Sequence, residues 1–152
     1  MLDFALAVAS SLTRISTKSN APLVAEVIQM VKTGERQKMG KWGETIAEDF
    51  LTQRGMRLIA RNVRTQYGEL DLVMLDDEQT VFVEVKTRTS LSFGYPEISV
   101  TDKKADHILR SAEDFIQKHT EVPDAWRVDV VAVIGYPESA NIQVEWFPNA
   151  LH

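Results

Sequence analysis

The sequence predicts an α/β protein in which helices flank a mixed central sheet, preceded by an N-terminal helical arm. Runs in which apolar and polar residues alternate predict strands, because successive strand side chains point to opposite faces of the sheet. VFVEVKTR at residues 81–88 is the clearest run. Apolar residues at helical spacing predict amphipathic helices, notably at residues 37–54 and 101–119. The order helix, three strands as a meander, helix and further strands predicts an α/β sandwich.

Residues 1–36 form the predicted arm. Apolar residues recur at helical spacing through residues 2–12, which predicts a short amphipathic helix. This run lacks a basic flank and is too short to span a bilayer, so we expect neither a cleaved signal nor a membrane anchor. A second helix is predicted to begin near Pro22 and to end at Gly34. The arm either packs onto the main domain or docks onto a partner or a second copy.

Residues 37–152 form the predicted main domain. Its first helix, at residues 37–54, has a buried stripe that includes Gly43 and Ala47, and Gly55 ends it. Turn-forming residues separate the later elements. These elements are strands at 56–66, 68–75 and 81–88, a loop at 89–99, a helix at 101–119, and strands at 127–135 and 141–147.

The strands at 68–75 and 81–88 are predicted to form a hairpin. A two-residue and a four-residue loop give the same register. That register places Leu70, Leu72 and Met74 on one face, Asp71 opposite Glu84, Glu69 opposite Lys86, and Val73 opposite Phe82. A slip by one residue would turn the carboxylates to the face of the apolar set, so the pattern favours this register.

The register brings two carboxylates together. Directly opposed residues in an antiparallel pair have Cβ atoms about 4.5 to 5.5 Å apart, and like charges there are destabilising. Asp71 and Glu84 therefore suit a hard divalent cation such as Mg²⁺, which takes oxygen ligands. Lys86 lies on the same face, within reach of a phosphate oxygen or a water. The alternative interpretation is a solvated strand face on which the two charges meet by chance.

Further motifs surround this pair. Along the chain they read GExxA from Gly43, RN from Arg61, GExD from Gly68, VEVK with TR from Val83, FGxP from Phe93, VTxxK from Val100 and RxD from Arg127. Asp71 followed by Glu84 and Lys86 resembles the D…(D/E)xK signature of the PD-(D/E)xK nuclease superfamily. The joint set, over residues 37–147, resembles the YraN family of bacterial proteins, which are similar to archaeal Holliday-junction resolvases.

The resemblance implies a restriction-endonuclease-like fold and a metal-dependent endonuclease that hydrolyses phosphodiester bonds in DNA, with branched DNA or recombination intermediates as candidate substrates. It implies that Asp71, Glu84 and the backbone carbonyl of Val85 bind Mg²⁺ or Mn²⁺. Lys86 would position or activate the attacking water and offset charge on the phosphoryl oxygens. Glu44 is a further candidate for catalysis and for the metal site.

Other polar residues are expected around this centre. From the hairpin register, Glu69 is predicted to face Lys86 and to hold it in place. Substrate binding is predicted for Arg64, Arg88, Lys104 and His107. The family commonly has Lys or Arg at the last of these positions, so the histidine is a departure that weakens a phosphate contact there.

The charge of the chain weighs against strong nucleic-acid binding. Seventeen Lys and Arg residues against 22 Asp and Glu give a net charge of −5, whereas residues 1–40 carry +2. Surfaces that bind nucleic acids are normally basic because they neutralise phosphates. A nucleic-acid-binding or scaffolding module of the same fold without turnover is therefore the alternative to an enzyme.

The expected partner is DNA, bound weakly and in a structure-dependent way. Resolution of a four-way junction requires two active sites, so a resolvase should be a two-fold homodimer. We expect no membrane partner. The chain contains no cysteine, which fits a reducing, cytoplasmic location.

Overall fold

The computed structural model describes residues 21–89 and 100–152, so the first predicted helix and most of the predicted 89–99 loop lie outside the described residues. The chain divides into two units, Met1–Lys38 and Met39–His152. The described elements are α1 (Ala21–Thr52), β1 (Arg57–Arg64), β2 (Glu69–Asp76), β3 (Gln79–Arg88), α2 (Asp102–Lys118), β4 (Trp126–Ile134) and β5 (Gln143–Leu151). Neither described helix is both long and apolar enough to cross a membrane.

The five strands form one mixed sheet in the order β1-β2-β3-β4-β5. Strands β1, β2 and β3 are antiparallel neighbours, β3 and β4 run parallel, and β5 is antiparallel to β4. A parallel pair needs a crossover connection, which contains α2. The predicted α/β fold around a mixed sheet is confirmed, and the arrangement is consistent with a restriction-endonuclease-like fold.

Helix α1 is longer than predicted. The sequence pattern predicts two helices separated near Gly34, whereas one helix of 32 residues runs from Ala21 to Thr52. The predicted stop is wrong because glycine ends a helix by adopting a left-handed conformation, and Gly34 does not have a positive φ. Within a helix, glycine costs only about 1 kcal/mol relative to alanine.

The predicted end of this helix at Gly55 is confirmed, and its geometry explains why. Gly55 has a φ of 98°, which lies in the region that favours glycine. Its N–H donates to the carbonyl of Thr52, and the N–H of Met56 donates to the carbonyl of Leu51. This pair of hydrogen bonds is a Schellman motif, which satisfies carbonyls at the helix end and directs the chain into β1.

Two apolar clusters cover opposite faces of the sheet. Neighbouring residues of one strand, such as Val81 and Phe82, belong to different clusters, as the strand pleat requires. One cluster packs Ala47 and Leu51 of α1 against the sheet. The other packs Ile108 and its neighbours in α2 against the opposite face. The C-terminal part of α1 and helix α2 therefore lie on opposite faces.

The predicted hairpin register is confirmed where β2 and β3 pair. Leu72 pairs with Val83, Val73 pairs with Phe82, and the ladder continues to Asp76 and Gln79. Asp77 and Glu78 form the two-residue turn. Asp77 has a φ of 49°, and aspartate is one of the residues that tolerate this left-handed conformation.

The alternation of β2 breaks at Asp71. Leu72 and Met74 belong to the cluster on the α1 face, whereas Leu70 belongs to the cluster on the α2 face. The predicted common face for these three residues is therefore wrong for Leu70. On β1, Asn62 lies opposite the break, between two regular β1–β2 pairs, and has a φ of 49°. Both strands are thus irregular at the level of the predicted site.

Candidate functional site

Glu84 is the buried centre of the candidate site. It lies on β3 and is 5% exposed. Lys86 Nζ donates to Glu84 Oε1 at 2.9 Å, and Lys104 Nζ of α2 lies 3.4 Å from the same oxygen. A buried carboxylate needs a partner because its desolvation is costly. Here two lysines from different elements provide the compensating charge.

Asp71 joins the site from β2. The β2–β3 ladder ends at the pair of Leu72 and Val83, and next to this pair the N–H of Val85 donates to Asp71 Oδ2 at 2.8 Å. A side chain therefore accepts from the backbone of β3 where the regular ladder stops. This hydrogen bond fixes the Asp71 carboxylate beside the segment that carries Glu84 and Lys86.

The electrostatic surroundings of Asp71 are unfavourable for a carboxylate. Burial and the negative charge of Glu84 raise the pKa of Asp71 from 3.8 to about 7, with a smaller contribution from Glu44. The hydrogen bond from Val85 and the positive charge of Lys104 lower it, but do not compensate. A second ionised carboxylate beside Glu84 is therefore disfavoured in this cluster.

Glu44 reaches this cluster from α1. It is partly buried, and its Oε2 accepts a hydrogen bond from Asn62 Nδ2 at 2.9 Å. Its charge acts on Asp71. One helical turn later, the Glu48 side chain, which is 16% exposed, forms an ion pair with Arg61.

Gly43 allows α1 to approach β3 closely beside Glu44. A Cβ at this position would lie 1.9 Å from Thr87 Oγ1, 3.1 Å from Thr87 Cβ and 3.2 Å from Thr87 Cγ2. Real Cβ atoms essentially never show the first of these distances, and the other two are shorter than most real Cβ contacts. Glycine is therefore required for the observed distance between the helix and the strand.

The predicted role of Glu69 is wrong. Lys86 forms its ion pair with Glu84, whereas the carboxylate of Glu69 lies 3.4 Å from Arg64 Nε. The physical reason is the end of the β2–β3 ladder at Leu72, beyond which the ideal register no longer applies. Glu69 instead forms an ion pair with Arg64 at the end of β1.

The four residues predicted to bind substrate differ in their positions. Lys104 lies in the cluster through its contact with Glu84. Arg64 has a side chain that is 88% exposed, at the end of β1. Arg88 ends β3, and its carbonyl accepts from the N–H of Gly135. His107 is exposed on α2, next to Gly68 in the turn between β1 and β2.

The turn between β1 and β2 is fixed against α2. Thr65 Oγ1 and Ser111 Oγ are 2.8 Å apart, and Thr65 Oγ1 also accepts from the N–H of Gly68. Tyr67 in this turn is 37% exposed, and the guanidinium of Arg110 lies 6.0 Å from its ring centroid. This turn and α2 form a surface with exposed basic and aromatic groups.

The RxD motif has a structural explanation. Asp129 is fully buried and accepts hydrogen bonds from the side chains of Arg127 and Trp146 and from the N–H of Asn149. Arg127 also donates to Asp76. These contacts join β4, β5 and the β2–β3 hairpin, and they satisfy a charge that would otherwise be costly to bury.

Sequence reasoning missed two parts of the site. Asn62 had a signal in the RN motif, but only the backbone geometry shows that its amide contacts Glu44. Gly43 had a signal in the GExxA motif, but its role depends on the distance to Thr87. Within residues 21–89 and 100–152, no group of three or more His, Cys, Asp or Glu side chains is arranged so that it could hold a metal ion.

Comparison with known proteins places the chain in a family. A family described as "Uncharacterised protein family UPF0102" matches residues 43–133, which include Glu44, Asp71, Glu84 and Lys86. A UPF0102 protein of Syntrophotalea carbinolica is 41% identical over 118 residues, or 78% of this chain and 94% of that protein. One of Anaeromyxobacter dehalogenans is 43% identical over 118 residues, or 76% and 84%. One of Dichelobacter nodosus is 36% identical over 115 residues, or 76% and 90%. The chain, with its YraN-like motifs, therefore belongs to the UPF0102 family.

Proposed function

We propose that this protein is a metal-dependent endonuclease that hydrolyses phosphodiester bonds in DNA, preferring branched or single-strand-containing substrates. The observation that carries the proposal is the cluster of Asp71, Glu84 and Lys86 at the end of the β2–β3 ladder. Burial, and after it the negative charge of Glu84, raise the pKa of Asp71 to about 7. Stability alone does not favour such an arrangement, and perturbed carboxylates of this kind are typical of functional sites.

The donor set fits Mg²⁺ or Mn²⁺. Carboxylate and carbonyl oxygens are ligands that suit both cations, and the positive charge of the ion would favour the ionised form of Asp71. Asp71, Glu84 and the backbone carbonyl of Val85 would hold the ion. Glu44 would complete the site through its Oε1, since the hydrogen bond from Asn62 goes to Oε2.

The chemistry divides between the ion and Lys86. A bound divalent cation supplies Lewis-acid stabilisation of the phosphoryl oxygens and lowers the pKa of a water molecule. Lys86 Nζ, held by Glu84 at 2.9 Å, donates to the attacking water or to a phosphoryl oxygen and stabilises the negative charge that develops there. Lys104 adds a second positive charge beside Glu84.

The substrate must reach an acidic protein through a local basic surface. Lys104 provides a cationic group beside Glu84 and Arg64 one at the exposed end of β1. Arg88 and His107 are the other two residues that we expect to contact the substrate. Since the chain as a whole carries a net charge of −5, we expect weak affinity that falls steeply with salt. Features such as a branch point or an unpaired strand then select the substrate by shape.

A scaffolding module without turnover is the second candidate. The observation that favours it is that both lysines already contact the same oxygen of Glu84, so the buried charge has partners without a metal. A module of this kind would bind DNA through the same surface and leave it intact.

The test is incubation of linear, nicked, flapped and four-way DNA with purified protein and Mn²⁺. We expect cleavage of at least one branched or single-strand-containing substrate, abolished by EDTA and by Lys86→Ala. Lys118→Ala is the control, because Lys118 is an exposed lysine at the other end of α2, about 21 Å along the helix from Lys104. Binding without cleavage of any substrate would favour the scaffolding module.

A further inference from the structure

Two glutamates of α1, one turn apart, contact two consecutive residues of β1. Glu48 accepts two hydrogen bonds from the guanidinium of Arg61, and Glu44 accepts one from the amide of Asn62. Consecutive side chains of a regular strand point to opposite faces of the sheet. Both residues can contact the same helix because Asn62, with a φ of 49°, interrupts the alternation.

The left-handed conformation of Asn62 has an energetic cost. Backbone conformations of this kind cost about 1 to 3 kcal/mol outside glycine and cluster at functional sites, although asparagine tolerates them better than most residues. The β1–β2 pairs on either side of Asn62 keep the same register. The conformation therefore neither shifts the register nor ends the strand. It interrupts the alternation of β1 side chains opposite Asp71 and places the Asn62 amide against Glu44.

The two β1 residues affect their glutamates differently. Arg61 neutralises Glu48 through a charged, two-bond contact. Asn62 fixes Glu44 through one neutral hydrogen bond at 2.9 Å, which leaves the negative charge of that carboxylate uncompensated. The same pair of elements thus contains one glutamate used for an ion pair and one whose charge still acts on Asp71.

We infer that Asn62 is a positioning residue whose amide holds the carboxylate of Glu44 toward Asp71 while keeping its charge available to a divalent cation. This inference rests on the proposed function. Gly43 supports it independently, since the close contact with Thr87 fixes the position of α1 next to Glu44. Hydrogen bonds that orient a metal ligand typically change metal affinity by about 10- to 100-fold when they are removed.

The test is calorimetric titration of the full chain with Mn²⁺, without DNA. Asn62→Gly removes the amide but suits a positive φ, so the melting temperature is expected to stay close to that of the wild type. Its Mn²⁺ dissociation constant is expected to rise about tenfold. Arg61→Gln is the matched control: it removes the neighbouring contact to the same helix and should change the dissociation constant less than twofold.

A second measurement examines the contact without metal. In NMR spectra of the EDTA-treated protein, Glu44→Gln should shift the side-chain amide resonances of Asn62, whereas Glu48→Gln should leave them unchanged. Together the two variants separate the specific contact from a general change in helix charge.

The outcomes distinguish this inference from the proposed function. Unchanged Mn²⁺ affinity in Asn62→Gly, or an equal loss in Arg61→Gln, would overturn the positioning role. A wild-type protein that binds no Mn²⁺ would overturn the proposed metal site. The NMR shift alone would then decide whether Asn62 positions Glu44. Absence of that shift overturns it in either case.

Discussion

Lys104 lies with its Nζ 3.4 Å from Oε1 of Glu84, the oxygen to which Lys86 also donates. The Glu84 side chain is only 6% exposed, so this contact links the start of α2 to the centre of β3 through a buried charge. Removing every partner of a buried carboxylate leaves an uncompensated charge, which is strongly destabilising. We therefore expect the two lysines to substitute for each other in stability, although the Lys86 side chain is 17% exposed and that of Lys104 is 42% exposed.

A double-mutant cycle tests this shared partnership. Lys86→Ala and Lys104→Ala each leave one lysine beside Glu84, so each alone should destabilise the protein modestly. The double variant removes both and should lose about 0.5 to 3 kcal/mol more than the sum of the single changes. Urea unfolding monitored by circular dichroism measures the free energies. Strict additivity would show that Glu84 does not depend on the pair.

Gly43→Ala should destabilise the protein, because its Cβ cannot fit beside Thr87 at the observed distance. Overpacking typically costs about 1 to 3 kcal/mol. Gly40→Ala is the control in the same helix: no atom lies within 4 Å of its added Cβ, so alanine should stabilise by about 0.5 to 1 kcal/mol. Thermal unfolding should therefore give shifts of opposite sign. A rise in melting temperature for both variants would contradict the close contact.

The metal-free protein should lose stability as pH rises toward neutrality. The pKa of Asp71 is raised to about 7 in the folded state, whereas it is about 3.9 in the unfolded chain. Between these values the unfolded state binds fewer protons, so the free energy of unfolding falls as pH rises. The accumulated loss above pH 7 is up to about 4 kcal/mol.

Asp71→Asn removes this pH-dependent loss. In EDTA the variant should be more stable than the wild type near pH 8. The two should differ little near pH 4, where Asp71 is protonated in the folded state and only about half ionised in the unfolded chain. Chemical unfolding at several pH values measures the difference. Parallel pH profiles for the two proteins would mean that the carboxylate of Asp71 is not perturbed.

Deletion of residues 1–36 should leave the main domain folded. The unit Met39–His152 contains the whole sheet and both apolar clusters, so its melting temperature should change little. If the removed segment acts in docking, self-association or DNA affinity should change instead, as light scattering and fluorescence anisotropy would show. Unfolding of the truncated chain would mean that the segment belongs to the core.

Much of the fold could be predicted because local signals and tertiary structure agree. The alternation in VFVEVKTR and in the preceding strand defined the hairpin register, and the structure repeats it from Leu72 to Asp76. Gly55 ended α1 as expected because the chain needs a positive φ there. Gly34 did not, since glycine also fits within a long helix, and sequence alone does not separate the two conformations.

The site was less predictable, for a physical reason. Pairing rules extrapolate a regular ladder. The pairing of β2 with β3 extends from Asp76 back to Leu72 and does not include Asp71. The rules therefore assigned Glu69 to Lys86, although the lysine contacts Glu84. The contact between Asn62 and Glu44 depends on a single backbone angle, which composition and periodicity do not encode.

The most direct test of the proposed metal site is the effect of Mn²⁺ on the melting temperatures of wild type and Asp71→Asn. At ten times its dissociation constant, Mn²⁺ should stabilise the wild type by about 1.4 kcal/mol, which corresponds to about 3 to 6 °C for a chain of this size. Asp71→Asn should lose most of this gain, although without metal it should be at least as stable as the wild type. Equal shifts in the two proteins would show that the ion binds elsewhere and would contradict the nuclease mechanism.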